Sequence, residues 1–116
     1  MKYMLLIYGN QSEMPDLTPE QRRAGMQVWM DYEHEAKAAG VLLAYNGLLP
    51  TTDATTVRIR DGETFITDGP FAETHEQLGG FYLIDVNNLD EALQWAAKIP
   101  SVRYGSIEVR PLWSQQ

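Results

Sequence analysis

Cysteine is absent from the 116 residues. That excludes a disulfide framework, a thiolate zinc site, an iron–sulfur cluster and a thiol nucleophile. Positive charge is scarce: nine Lys and Arg stand against sixteen Asp and Glu, for a net charge of −7 with both histidines neutral. Phosphate recognition needs a basic footprint, so no direct nucleic-acid partner is expected. No apolar run approaches the roughly 18 residues of a membrane helix. The opening Met1–Tyr8 is apolar, but it has only the length of a strand and lacks signal-peptide architecture. A cytoplasmic protein without membrane contact is the expectation. There is no phosphate loop, GxGxxG or HExxH, and Ser12, Ser101, Ser106 and Ser114 stand in no nucleophile signature. Repeats, linkers and low-complexity stretches are missing too.

The length fits a single domain, residues 1–116, able to bury roughly two-thirds of its unfolded surface in one core. The acidity is uneven. Residues 61–97 hold Asp61, Glu63, Asp68, Glu73, Glu76, Asp85, Asp90 and Glu91 and no Lys or Arg, whereas residues 1–60 are nearly balanced. Such a surplus serves as a solvated surface, or as a region facing a cation or a basic partner.

Lys2–Tyr8 (KYMLLIY) predicts a buried strand, ended by Gly9-Asn10 and followed by a polar loop over 10–17. Thr18-Pro19-Glu20-Gln21 is a helix start: Thr18 caps, Pro19 suits the first helical position and Gln21 completes a capping box. Gly25, Trp29, Tyr32, Ala36 and Ala39, with Val28 beside them, repeat as one apolar helical stripe, and Gly40 ends it. Val41–Leu49 predicts a strand with an irregularity near Asn46-Gly47. Asp61-Gly62 between Thr55–Arg60 and Glu63–Thr67 predicts a hairpin. After a polar loop over Asp68–Gln77, Gly80–Val86 predicts a strand. Asn88 caps a second helix with an apolar face of Leu89, Ala92, Leu93 and Ala96, ended by Pro100. Ser106–Leu112 predicts the last strand. Two β-α-β units plus a hairpin give an α+β fold with a ferredoxin-like subunit. Two helices cover one sheet face, yet Met4–Ile7 and Phe81–Ile84 are apolar at successive positions. A second copy is the economical cover, so a homodimer is expected.

Thr67-Asp68-Gly69-Pro70-Phe71-Ala72-Glu73-Thr74 and Gln77-Leu78-Gly79-Gly80-Phe81-Tyr82 resemble the signature of the DGPF branch of the YCII-related family. Met1–Tyr8, Asp90-Glu91-Ala92-Leu93 and Gly105-Ser106-Ile107-Glu108-Val109-Arg110-Pro111 are similar to it as well. The resemblance implies a dimeric α+β barrel of ferredoxin-like subunits in a bacterial protein. Fusions of such domains to sigma factors imply a link to transcription initiation, and a His/Asp pair in a pocket implies enzymatic activity in the wider family. One departure stands out: the position commonly Lys in that branch is His75.

In the motif, Asp68 accepts hydrogen bonds from backbone ahead, Gly69 supplies free φ and Pro70 forbids continuation. Phe71 is expected to plug back into the core. The motif thus serves as a turn and a plug, or holds Asp68 at a pocket mouth as general base or ligand-binding carboxylate, its pKa raised by apolar walls. Glu73 is placed to face Asp68, and with His75 the two carboxylates leave a weak metal cluster open. His34, flanked by Glu33 and Glu35, falls opposite the apolar stripe: a solvent-facing histidine, or a partner for a carboxylate at a pocket or dimer seam. Arg58 and Arg60 share a strand face, for pairing with Glu63 or for an anionic ligand. Tyr8, Tyr45 and Tyr82 serve as core residues or amphipathic pocket walls. The candidates are therefore Asp68, His75 and His34 as catalytic groups and Gly69, Pro70, Phe71, Glu73 and Arg103 as ligand contacts, with no metal or cofactor. The functional expectation is a small-molecule pocket at the Asp68–Phe71 loop. Its alternatives are a protein-interaction module contacting a sigma factor or other transcription protein, and a purely structural dimer.

Overall fold

A computed structural model describes residues 1–114; Gln115 and Gln116, which the expected domain span includes, lie outside the described residues. Four strands form one antiparallel sheet: β1 (Lys2–Gly9), β2 (Leu42–Gly47), β5 (Gln77–Asp85) and β6 (Ser106–Pro111), in the order β2-β5-β1-β6. Helix α1 (Pro19–Ala38) connects β1 to β2 and helix α2 (Leu89–Ala97) connects β5 to β6. Each connection skips one strand, the split β-α-β order of a ferredoxin-like α+β fold. Strands β3 (Thr55–Arg60) and β4 (Glu63–Asp68) form a separate two-stranded sheet inserted between β2 and β5.

Local chemistry sets the element ends as the sequence predicts. The Thr18 hydroxyl accepts from the Gln21 amide (3.1 Å) while the Gln21 side chain accepts from the Thr18 amide (2.9 Å). At the other end of α1, Val41 N–H donates to Ala36 and Gly40 N–H to Lys37, with Gly40 at φ +75°, a left-handed stop that glycine tolerates. Asp61 and Gly62 both take positive φ, as a tight primed hairpin turn requires. The Asn88 side chain accepts from Glu91 N–H (3.0 Å). Hydrogen bonds from the Asn87 backbone and side chain hold the exposed Glu91 carboxyl below the usual carboxylate range.

The core lies between the helices and one sheet face. Tyr3 and Leu5 of β1, Tyr82 and Ile84 of β5, Tyr32 of α1, Ala92 and Ala96 of α2, and Ile99 are buried, with Val86. Trp29, Tyr82 and Tyr45 stack in sequence, Tyr32 tilts against Tyr82, and Tyr82 donates to Glu33 (2.7 Å) while Tyr32 donates to the Trp95 carbonyl (3.0 Å). Tyr82 is therefore a core residue. The opposite sheet face carries Met4, Leu6, Phe81 and Leu83, all half-buried.

Four expectations are corrected. In the α1 stripe only Tyr32 and Ala36 are buried and Trp29 is half-buried; Gly25, Val28 and Ala39 are exposed. Among the described residues no element lies closely enough over Gly25 and Val28, in the N-terminal half of α1, or over Ala39 at its C-cap, to bury them. In α2, Leu89 and Leu93 are exposed, and the buried stripe is Ala92 and Ala96 continuing to Ile99. The irregularity of β2 falls between Leu42 and Ala44, not at Asn46-Gly47. Strand β5 also starts before Gly80, whose missing side chain matters: a Cβ there would sit 2.8 Å from the Asn46 carbonyl oxygen of β2.

Leu5 is fully buried at the centre of β1, so Leu5→Ala should lower the unfolding free energy by about 2–5 kcal/mol in urea titrations. Burial pushes the Tyr82 phenol far above the usual tyrosine range, helped by its bond to Glu33, and burial does the same for Tyr32 beside Glu35. Because the folded state holds these protons more tightly, this stabilisation is complete below about pH 10 and falls as pH rises above it. Tyr82→Phe should flatten that alkaline loss in urea midpoints measured across the range.

Candidate functional site at the motif loop

Asp68 ends β4, and the chain turns at Gly69, where φ is +95°. A side chain at that angle would strain the backbone, so glycine is required there. Gly69 N–H donates to the Ala54 carbonyl (2.6 Å), and the Thr56 hydroxyl donates to the Gly69 carbonyl (2.8 Å). The Arg58 guanidinium donates to the Phe71 carbonyl (3.2 Å). These bonds tie the loop to the hairpin, which pairs with no strand of the larger sheet. The Phe71 ring is accordingly 75% exposed, and the expected plug into the core is not made.

Further on, the loop is tied to the main sheet. Gln77 is the connector: its side-chain nitrogen donates to the Thr74 carbonyl (2.6 Å) and its side-chain oxygen accepts from Gln11 N–H (2.9 Å). The Gln11 side-chain oxygen in turn accepts from the amide (3.2 Å) and hydroxyl (3.1 Å) of Thr51. The Ser106 hydroxyl donates to the Glu76 carboxylate (2.7 Å). Thus the 3-10 turns Gln11–Glu13 and Thr51–Asp53 converge on the motif loop. Between them is an open concavity of about 340 Å³, whose lining includes Asn10, Ser12, Thr51, Pro70, Glu73 and His75. A second, of about 370 Å³, lies on the hairpin, lined by Thr56, Arg58, Arg60, Phe65, Thr67 and Phe71; Pro70 borders both.

The structure thus gathers Pro70, Glu73 and His75 and separates the other candidates. Asp68 is exposed and lines neither concavity. Cross-strand register puts it opposite Thr55, on the hairpin face of Val57, Ile59 and Ile66, away from Arg58 and Arg60. It stands exposed instead of enclosed by the apolar walls expected at a pocket mouth. Gly69 is half-buried in the turn, and Phe71 belongs to the hairpin concavity. His34 is exposed on α1, as its place opposite the stripe predicts, and Arg103 is exposed at the end of the 3-10 turn Pro100–Arg103; neither lines either of these two concavities. Among the described residues no three His, Asp or Glu are grouped to hold a metal, so Asp68, Glu73 and His75 do not form the cluster their spacing left open. Arg60 faces Glu63 in register but forms no ion pair with it.

Asn10, Ser12 and Thr51 are members of the concavity that sequence reasoning misses. They come from turns after β1 and β2, and the pairing of β5 with both of those strands brings the turns to the motif. Gln77→Ala should remove two of the linking bonds, lower stability by about 1–3 kcal/mol, and speed amide hydrogen exchange at Gln11.

The comparisons with known proteins cover nearly the whole chain. The family model for the YCII-related domain matches residues 1–115. An uncharacterised protein of Rhizobium meliloti (strain 1021) is 43% identical over 114 residues, covering 97% of this chain and 92% of that protein. The chain belongs to the YCII-related family.

Proposed function

We propose that this chain binds a small molecule at its motif loop and works as a homodimer, the second copy completing the wall that one chain leaves open. The observation that carries the binding is the convergence of two 3-10 turns and the motif loop, held by Gln11 and Gln77, around Glu73, His75 and Thr51. Polar groups fixed by hydrogen bonds at a concavity are what a binding site needs. Glu73 and His75 supply a carboxylate and an imidazole there, and His75 is the candidate for proton transfer.

Support for the second copy comes from two apolar faces. One is the helix-free sheet face of Met4, Leu6, Phe81 and Leu83. The other is the hairpin face of Val57, Ile59 and Ile66, exposed by 64, 63 and 71%. Asp68 shares that second face, so a dimer that covers it encloses the carboxylate, and catalysis by Asp68 belongs to the dimer in this reading.

Light scattering at micromolar concentration should return about twice the 13.2 kDa of one chain. A monomer that co-purifies with a transcription protein would instead favour the interaction-module reading. A metabolite thermal-shift screen should find a stabilising ligand whose effect is lost in His75→Ala and, if the dimer encloses Asp68, in Asp68→Asn. Folded variants that keep the full shift would overturn the placement of the site.

A further inference from the structure

Arg58 and Arg60 are the most conspicuous charges left over by the motif-loop site. They stand two residues apart on one face of β3, and their cross-strand neighbours on that face are Phe65 and Glu63. Two adjacent guanidinium groups repel each other, and pairing with a carboxylate is the ordinary relief. Among the described residues neither arginine has one: the ion pairs are Met1–Asp85, Lys98–Glu35 and Arg110–Glu108. Arg58 instead donates to the Phe71 carbonyl and Arg60 to the carbonyl of its own neighbour Ile59 (2.9 Å). Each guanidinium has five N–H donors, so both keep several unspent.

What surrounds them is aromatic and hydroxylic. Phe65 and Phe71, with Thr56 and Thr67, line the concavity of about 370 Å³ beside them. The Thr56 hydroxyl is already committed to the Gly69 carbonyl, and the Arg58 bond fixes the loop that carries Phe71. The concavity is thus assembled by the same bonds that shape the motif turn. Its volume lies at the small end of the roughly 300–1,000 Å³ typical of ligand sites.

We infer that this hairpin face is a subsite for a small anion with an aromatic body: the arginines take the oxyanion, carboxylate or phosphate, and the phenylalanines take the ring. Guanidinium forks suit planar oxyanions, and rings stack or meet edge to face at little entropic cost. The subsite does not depend on the loop concavity, with which it shares only Pro70. It also concentrates two of the nine positive charges in a chain of net −7.

The test is a titration of the isotope-labelled full chain with benzoate, phenyl phosphate and inorganic phosphate, followed by amide chemical shifts. Both aryl anions should shift Arg58, Phe65 and Phe71 saturably, with inorganic phosphate about tenfold weaker or more. R60Q, whose bonding is local, should weaken both aryl anions about tenfold, as loss of a charge-assisted contact does. Phe71→Ala, at an exposed ring, should reduce aryl binding to the level of inorganic phosphate. Unchanged binding in R60Q overturns the anion role, and inorganic phosphate binding as tightly as the aryl anions overturns the aromatic one. Absence of any saturable hairpin shift overturns the subsite entirely.

Discussion

Strand β1 lies between β5 and β6 and pairs antiparallel with both, from Lys2 opposite Asp85 to Gly9 opposite Gln77. Because β5 separates β1 from β2, and β1 separates β5 from β6, each helix crosses a strand before rejoining the sheet. Crossings of one hand place both helices on the same face. The pairing also has a consequence at its end. With Gly9 opposite Gln77, the polar segment after β1 and the loop before β5 are brought side by side, and the Gln11–Gln77 hydrogen bond follows. The concavity around Glu73 and His75 is therefore a product of strand register as much as of the motif. Gly105 shows how tightly this frame closes: a Cβ there would collide with the Tyr8 carbonyl oxygen of β1.

The parts of the fold legible in the sequence are those decided by local chemistry. Thr18 with Gln21, Gly40, Asp61-Gly62 and Asn88 act within a few residues of themselves, so their roles can be read without knowing the neighbours. The element order follows from them. Burial of a helix face is different, because it depends on what lies across from it. Periodicity marked Val28, Leu89 and Leu93 as inward, but nothing among the described residues covers them closely enough to bury them. The same limit applied to the site. Gly69 and Pro70 were legible as a turn. The destination of Phe71 was not, because it depends on the hairpin standing apart from the main sheet. Nor could Asn10, Ser12 and Thr51 be assigned, since each reaches the concavity through long-range pairing.

The hairpin carries an unusual distribution of side chains for a two-stranded sheet. Such a pair is marginal on its own, and here the primed turn at Asp61-Gly62 closes one end while the Gly69–Ala54 and Thr56–Gly69 bonds close the other. One face holds Val57, Ile59 and Ile66, and the other holds the two arginines with Phe65. Neither is spent on the core. The acidic stretch 61–97 thus begins at the turn next to a positive pair, and of its acids Glu63 shares the arginines' face.

The motif itself divides along this hairpin. Gly69 is accounted for by its backbone angle, and Pro70 by the end of the strand and its place between the two concavities. The Phe71 carbonyl is accounted for by Arg58. The side chains of Asp68 and Phe71 are not explained by the folding of one chain: both are exposed, an acid on the apolar face and a ring on the basic face. A motif needed only as a turn would be satisfied by its backbone bonds and its glycine. The exposed carboxylate is already hydrated where it stands, whereas the exposed ring beside arginine leaves apolar surface in water. A carboxylate keeps its charge cheaply while one edge stays wet or finds a donor, and a ring gains from any apolar body laid against it. Under the dimer and subsite proposed above, Asp68 would meet a second protein surface on one face of the hairpin and Phe71 a small aromatic anion on the other, so the two would not compete for the same ground.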